Sequence, residues 1–146
     1  MMCKELQFGD WCCDKHGFPM QITNVGEDYA YATFDGLEGD PWEFDDKDDR
    51  PEPIGITDDM FRKNNWEENS YPLPLPYNLH EYFYVKDEDV NHLMWNGEVL
   101  AIWIDWEEGK EDGAFADIAI PIKYVHQLQQ ALRLVGMIDM ANSFKV

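Results

Sequence analysis

A chain of 146 residues with 30 Asp and Glu against 11 Lys and Arg carries a formal net charge of −19. A surface that negative repels nucleic-acid phosphates and anionic lipid headgroups, so neither is an expected partner. A hydrophobic content of 45% with 14% aromatics excludes intrinsic disorder, because such a chain buries enough apolar surface to offset the entropy of ordering it.

The length suits a single domain, residues 1–146, that folds without metal or disulfide. The basic residues are scattered, with Arg62-Lys63 the sole adjacent pair. That leaves no basic patch for direct nucleic-acid binding. Cys3, Cys12 and Cys13 are an odd set, and neighbours on a strand point to opposite faces. A disulfide framework is therefore not expected, and a reducing cytoplasmic location is. No apolar run approaches the roughly 20 residues of a membrane span. The N-terminal residues lack the apolar core of a signal peptide.

In chain order, residues 6–34 read as strands and turns. Gly9-Asp10 introduces Trp11-Cys12-Cys13, and the turn Asp14-Lys15-His16-Gly17 leads to a strand over 18–25 with Met20, Ile22 and Asn24 on one face. Tyr29, Tyr31 and Thr33 alternate with Ala30, Ala32 and Phe34, the period of a strand. Short strands joined by tight turns predict an antiparallel meander in residues 1–50, resembling an SH3-like small barrel. Trp42 and Phe44 suit a short edge strand before an acidic, solvated loop at 45–49.

Residues 51–80 hold a short helix and a connector. Thr57 suits a helix N-cap, with Asp58 and Asp59 at the positive end of the helix dipole. The run Tyr71-Pro72-Leu73-Pro74-Leu75-Pro76 is neither helix interior nor central strand. In residues 81–146, strands over 82–86, 93–95, 99–106 and 114–120 predict a second antiparallel sheet, with Asn96-Gly97 as a hairpin turn. A helix over 123–135 follows. Tyr124, Val125, Leu128, Ala131, Leu132 and Val135 share one face, His126, Gln129, Gln130 and Arg133 the other, and Gly136 suits the position just past the end. This helix is expected to cover the second sheet. The predicted fold class is α+β.

Three stretches together resemble a known family. They are Leu6-Gln7-Phe8-Gly9-Asp10-Trp11, Pro53-Ile54-Gly55-Ile56-Thr57-Asp58-Asp59-Met60-Phe61, and Lys123-Tyr124-Val125-His126-Gln127-Leu128-Gln129. In that order they are similar to a family of short uncharacterised proteins from Bacteroidales genomes, their phages and mobile elements, which end on a Y-V-H-Q-L-Q helix. The resemblance implies an N-terminal barrel-like part and a phage- or element-linked setting. It supplies no catalytic residues.

Candidate chemistry is sparse. Cys12, Cys13 and His16, with Cys3 nearby, lack the second ligand knuckle of a structural zinc site. Asp45, Asp46, Asp48 and Asp49 lack the alternate spacing, central Gly and closing Glu of a calcium loop. The carboxylates Asp105, Glu107, Glu108, Glu111 and Asp112 crowd one hairpin loop, and an exposed loop argues against the paired carboxylates of a glycosidase pocket. No phosphate cradle or nucleophile elbow occurs. No catalytic residue, metal or cofactor is therefore assigned. The residues assigned to partner contact are His126, Gln127, Gln129 and Gln130 on the final helix, together with Trp42. The plain alternative is that the helix residues bond to neighbouring strands and fix the helix. The expected function is a non-catalytic acidic interaction protein that binds a basic protein surface. The competing reading is a small-molecule-binding or enzymatic domain whose pocket lies between the two β parts and is lined by Trp11, Trp42, Trp95, Trp103 or Trp106.

Overall fold

The computed structural model describes residues 1–34, 40–68, 80–86, 89–95, 99–102 and 120–146. The architecture is α+β, in two compact units. One comprises Met1–Ile56 with Tyr124–Phe144 and Val146, the other Thr57–Lys123 with Lys145. The expected hairpin turn Asn96-Gly97, the Pro-rich connector, the predicted strand segments 103–106 and 114–119, and both Trp103 and Trp106 lie outside the described residues.

The first unit contains a four-stranded antiparallel meander. Its strands are β1 (Trp11–Cys13), β2 (Pro19–Val25), β3 (Tyr29–Phe34) and β4 (Trp42–Asp45), side by side in that order. Alternation puts Met20, Ile22, Ala30, Ala32 and Phe44 on one face. With Cys3, Leu6 and Cys12 they make the core, and Met1, Val25 and Phe34 pack at its margin. The two alanines of β3 leave room for the Phe44 ring, since Ala30 lies directly opposite Phe44. Cys12 is buried and Cys13 half-buried, as opposite faces of a strand require.

The expected strand over 18–25 differs in one respect. Register between β2 and β3 shifts between Ile22 and Asn24, so Thr23 is an extra, bulged residue. A bulge inverts the facing of everything beyond it. Asn24 is accordingly exposed, and Val25 turns to the core in its place.

The chain end returns to this unit as helices α2 (Val125–Leu134) and α3 (Ile138–Asn142). Gly136, with φ +86°, stops α2. Its N–H donates to the Arg133 carbonyl at 3.1 Å, and the Met137 N–H donates to the Leu132 carbonyl at 2.9 Å. That pair of bonds needs a left-handed residue at this point, and glycine takes that conformation without a steric penalty.

In the second unit, α1 (Asp58–Lys63) precedes β5 (Glu67–Glu68), β6 (His80–Lys86), β7 (Asp89–Trp95), β8 (Val99–Ile102) and β9 (Ile120–Pro121). These strands pair antiparallel in sequence order. Thr57 has the extended backbone of an N-cap, but its side chain makes no capping bond. Phe61, on α1, stacks on Tyr82 at 4.1 Å and meets Trp95 at 5.6 Å and Trp66 at 6.5 Å. All four rings are buried. Trp95 donates its indole N–H to the Ile122 carbonyl at 3.2 Å, and the Tyr82 hydroxyl donates to Asp58. Buried Tyr and Trp usually find a partner for their polar edge, as Tyr82 and Trp95 do here.

Phe44→Ala empties the centre of the first core, where the ring has no exposure. Urea unfolding of this variant is expected to show a loss of about 3–5 kcal/mol. A loss under about 1 kcal/mol, the size of an ordinary surface effect, would show that the ring does not plug the core.

Candidate interaction site

Two polar assemblies stand out in the first unit. The first is internal. It begins at the turn Gln7–Asp10, where Gly9 takes φ +84°. A Cβ at Gly9 would lie 3.2 Å from Arg133 Nη2 and 3.3 Å from Asn142 Oδ1. The position thus requires glycine both for its backbone and for its closeness to α2 and α3. The turn aims the Asp10 carboxylate inward, where it has no exposure. Arg133 Nη1 donates to Asp10 Oδ1 at 2.5 Å. Gln130 Nε2 donates to Oδ2 at 2.7 Å, and the Gln7 N–H donates to the same oxygen at 2.8 Å. A buried carboxylate is tolerated only when paired and hydrogen-bonded in this way.

One helical turn back, Gln129 is fully buried and bonded at both ends of its amide. Its Oε1 accepts the Trp11 N–H at 2.8 Å, while Nε2 donates to the carbonyls of Gly9 at 2.9 Å and Ala141 at 2.8 Å. Trp11 donates its indole N–H to the Phe144 carbonyl at 2.5 Å. Gln130 also donates to the Glu5 carbonyl at 2.8 Å, and Arg133 Nε donates to Asn142 Oδ1 at 3.1 Å. Gln127 caps its own helix, its Oε1 accepting the Tyr124 N–H at 3.2 Å.

His126 is 5% exposed, and its ring lies nearly parallel to Tyr124 at 5.9 Å. Burial holds its imidazole below the usual range, against the upward pull of Asp10 and Glu5. The polar stripe of α2 is thus turned inward along most of its length. Gln129 offers a partner no surface, and the bonds of Gln127 and Gln130 described here are internal. The glutamines and arginine of α2 are built into the first unit.

The second assembly is external. Glu27 and Asp28 lie in the β2–β3 turn, Glu43 and Asp45 on β4, and Asp46, Asp48 and Asp49 in the turn that follows. The Asp46 N–H donates to the Asp28 carbonyl at 3.0 Å, which brings the two turns together. The turn at 45–49 is built rather than merely solvated. Asp45 Oδ1 accepts the N–H groups of Lys47 and Asp48, both at 2.7 Å. Those donors, Asp48 first, hold its carboxyl below the ordinary range. The Cys3 N–H donates to Asp46 Oδ1 at 2.8 Å. The nearby Cys3 thiol is pushed up to about 12, by burial first and then by Asp46, Asp45 and Asp28. Burial alone disfavours the thiolate, and the three carboxylates add to that penalty.

Aromatic rings adjoin these carboxylates. Tyr29 and Tyr31, two apart on the outer face of β3, meet edge to face at 5.7 Å. The Tyr31 hydroxyl donates to Glu43 at 3.1 Å. Trp42, 53% exposed, meets Phe34 at 6.4 Å and donates its indole N–H to Asp49 at 3.3 Å. Seven carboxylates stand in these segments beside two cations, Lys47 and Arg50. Of the predicted contact residues, Trp42 alone is more than half exposed. Among the described residues no group of three or more His, Cys, Asp and Glu is arranged to hold a metal ion.

The sequence reading missed Asp10 and Arg133 as partners, and the pairing of Tyr31 with Glu43 on the outer face of the sheet, opposite the face that carries Trp42. The first pair had a signal. Residues 126, 129, 130 and 133 recur with the same spacing as an apolar helix face, and a polar stripe with that spacing suits an inward surface that meets polar groups.

Asp10→Ala would leave the Arg133 guanidinium largely buried and without its carboxylate, since that side chain is only 15% exposed. Chemical denaturation is expected to register a loss of about 3–5 kcal/mol. A loss no larger than that of a surface Asp variant such as Asp48→Ala would show that the pair is dispensable.

Comparison with known proteins finds no matching family model, no matching curated protein and no matching solved structure.

Proposed function

We propose that this protein is a non-catalytic acidic interaction module that binds a basic protein surface through the carboxylates and rings of the β3–β4 region. The barrel-like description of the meander and a phage- or element-linked setting belong to the same proposal. The observation that carries it is the gathering of Glu27, Asp28, Glu43, Asp45, Asp46, Asp48 and Asp49 about β3 and β4, where Tyr29 and Tyr31 stand with Glu43 on the outer face and Trp42, on the other face, bonds to Asp49. Charge meant only for solubility has no reason to surround half-exposed rings. Carboxylates attract Lys and Arg from a distance and set the register of docking. Aromatic faces then take up the guanidinium or the aliphatic stems by cation–π and apolar contact.

The edge of β4 itself is poorly suited to receive an added strand. The strand has four residues, Pro41 precedes it, and the Asp45 N–H already donates to the Asp49 carbonyl at 3.2 Å. Short length, proline and charge are the usual guards of a sheet edge. Recognition therefore rests on side chains.

A test compares two quadruple variants with equal change in net charge. One neutralises the patch: Glu27→Gln, Asp28→Asn, Glu43→Gln and Asp48→Asn. The other neutralises four acids outside those segments: Glu52→Gln, Asp59→Asn, Glu67→Gln and Asp139→Asn. Binding of an oligo-arginine peptide, measured by calorimetry at low salt, is expected to weaken much more in the first variant and to fall with added salt in the wild type. Equal weakening in both variants would reduce the attraction to bulk charge and remove the patch as a site. Binding that ignores salt would remove the electrostatic reading altogether.

A further inference from the structure

His126 stands apart from its neighbours in the internal clasp. Gln129, Gln130 and Arg133 all bond across to the segment Glu5–Trp11, yet His126 Nδ1 is buried with no hydrogen-bond partner. The ring is held by stacking on Tyr124. We propose that His126 is a proton-operated latch: when its imidazole is charged, α2 loosens from the Gly9–Trp11 seam.

The argument is one of occupancy. A protonated imidazole carries N–H on both nitrogens, so Nδ1 would become a charged, buried donor in need of an acceptor. The charged groups that act on His126 are Asp10, Glu5 and the N-terminal ammonium. Arg133 pairs with Asp10 through Nη1, and its Nη2 is buried without a hydrogen-bond partner among the described residues. Asp10 is already committed, with Oδ1 to Arg133 and Oδ2 to both Gln7 and Gln130. Glu5 Oε2 accepts the Met2 N–H at 2.8 Å. The ammonium repels. Turning Asp10 toward His126 would break a bond that holds the seam, turning Glu5 would release only Met2, and leaving Nδ1–H alone would bury an uncompensated charge against the seam. The first and last outcomes weaken the same contact.

The sign follows from linkage. The unfolded chain takes up the proton near the ordinary value of 6.5, and the folded chain takes it up at a lower pH. Stability attributable to this group is therefore complete above pH 6.5. It is lost as pH falls from there through the folded value. Most surface carboxylates stay ionised down to about pH 5, which leaves a window in which histidine dominates.

The experiment follows the urea midpoint and the hydrogen exchange of the full chain between pH 7.5 and 5.5, for wild type and for His126→Gln and His126→Phe. In the wild type the midpoint is expected to drop as pH falls. Protection, corrected for intrinsic rate, is expected to fall first across Val125–Leu134 and Gly9–Trp11. Both variants are expected to be flat over that range. A wild type without the drop, or variants that drop equally, would overturn the latch and assign any effect to His16, His80 or His92. Should the variants fail to fold, the wild-type His126 ring resonances decide. Titration below pH 6.5, together with shifts in the α2 amides, supports the latch, and titration at or above 6.5 refutes it.

Discussion

The carboxylate of Asp10 is the constraint on which the first unit depends. It is wholly buried, and an ion in that position is tolerable only while its neighbours stay in place. Those neighbours come from two distant parts of the chain: the Gln7 backbone beside it, and Gln130 and Arg133 some 120 residues later. The requirement spreads outward from there. Gly9 must be glycine for Arg133 to approach. Gln129 must take the Trp11 N–H, because β1 stands at the edge of the meander and that donor would otherwise be buried unpaired. The chain end is drawn in as well, since α3 and its tail supply Asn142, Ala141 and Phe144. A hydrophobic core alone would tolerate sliding of α2 along the sheet. The directed bonds of this cluster fix its register.

The acidic residues of this protein therefore do two different things. Asp10 is spent internally, at a cost in desolvation that its partners offset, and Asp46 ties the N-terminal segment to the turn after β4. The others in that turn and its neighbour face outward beside Tyr29, Tyr31 and Trp42. Burial raises the Cys3 thiol first, and the carboxylates of Asp46, Asp45 and Asp28 raise it further because they disfavour an anion beside them. Charge of this density also opposes compaction. The short bonds inside the turn, from Lys47 and Asp48 to Asp45, answer that repulsion locally.

Comparison of sequence expectation with structure shows where local rules suffice. The alternation of Tyr29 to Phe34, the turn at Asp14 to Gly17 and the stop at Gly136 are properties of a few adjacent residues, and each is found where the pattern puts it. Thr23 shows the limit. Nothing in the neighbouring residues marks it as a bulge, because the slip is a matter of pairing with β3. The short helix α3 was passed over for a similar reason. Five residues carry too little periodicity to register, and its position is set by Gln129 and Arg133.

The amino-acid sequence by itself determined the charge, the α+β alternation of periods, the meander and the helix that begins near Tyr124. These follow from side-chain chemistry and from spacings of two and 3.6 residues, which need no knowledge of the rest of the chain. Only the tertiary structure decided which carboxylates are inside and which are outside. It alone turned His126 and Gln129 inward, while leaving Trp42 beside the acidic turn. The physical reason is that a polar group reveals its role through its partner. The side-chain partners of Asp10, and the Gly9 and Trp11 groups that Gln129 bonds, are separated from them by more than a hundred residues, so folding has to bring them together before either role exists.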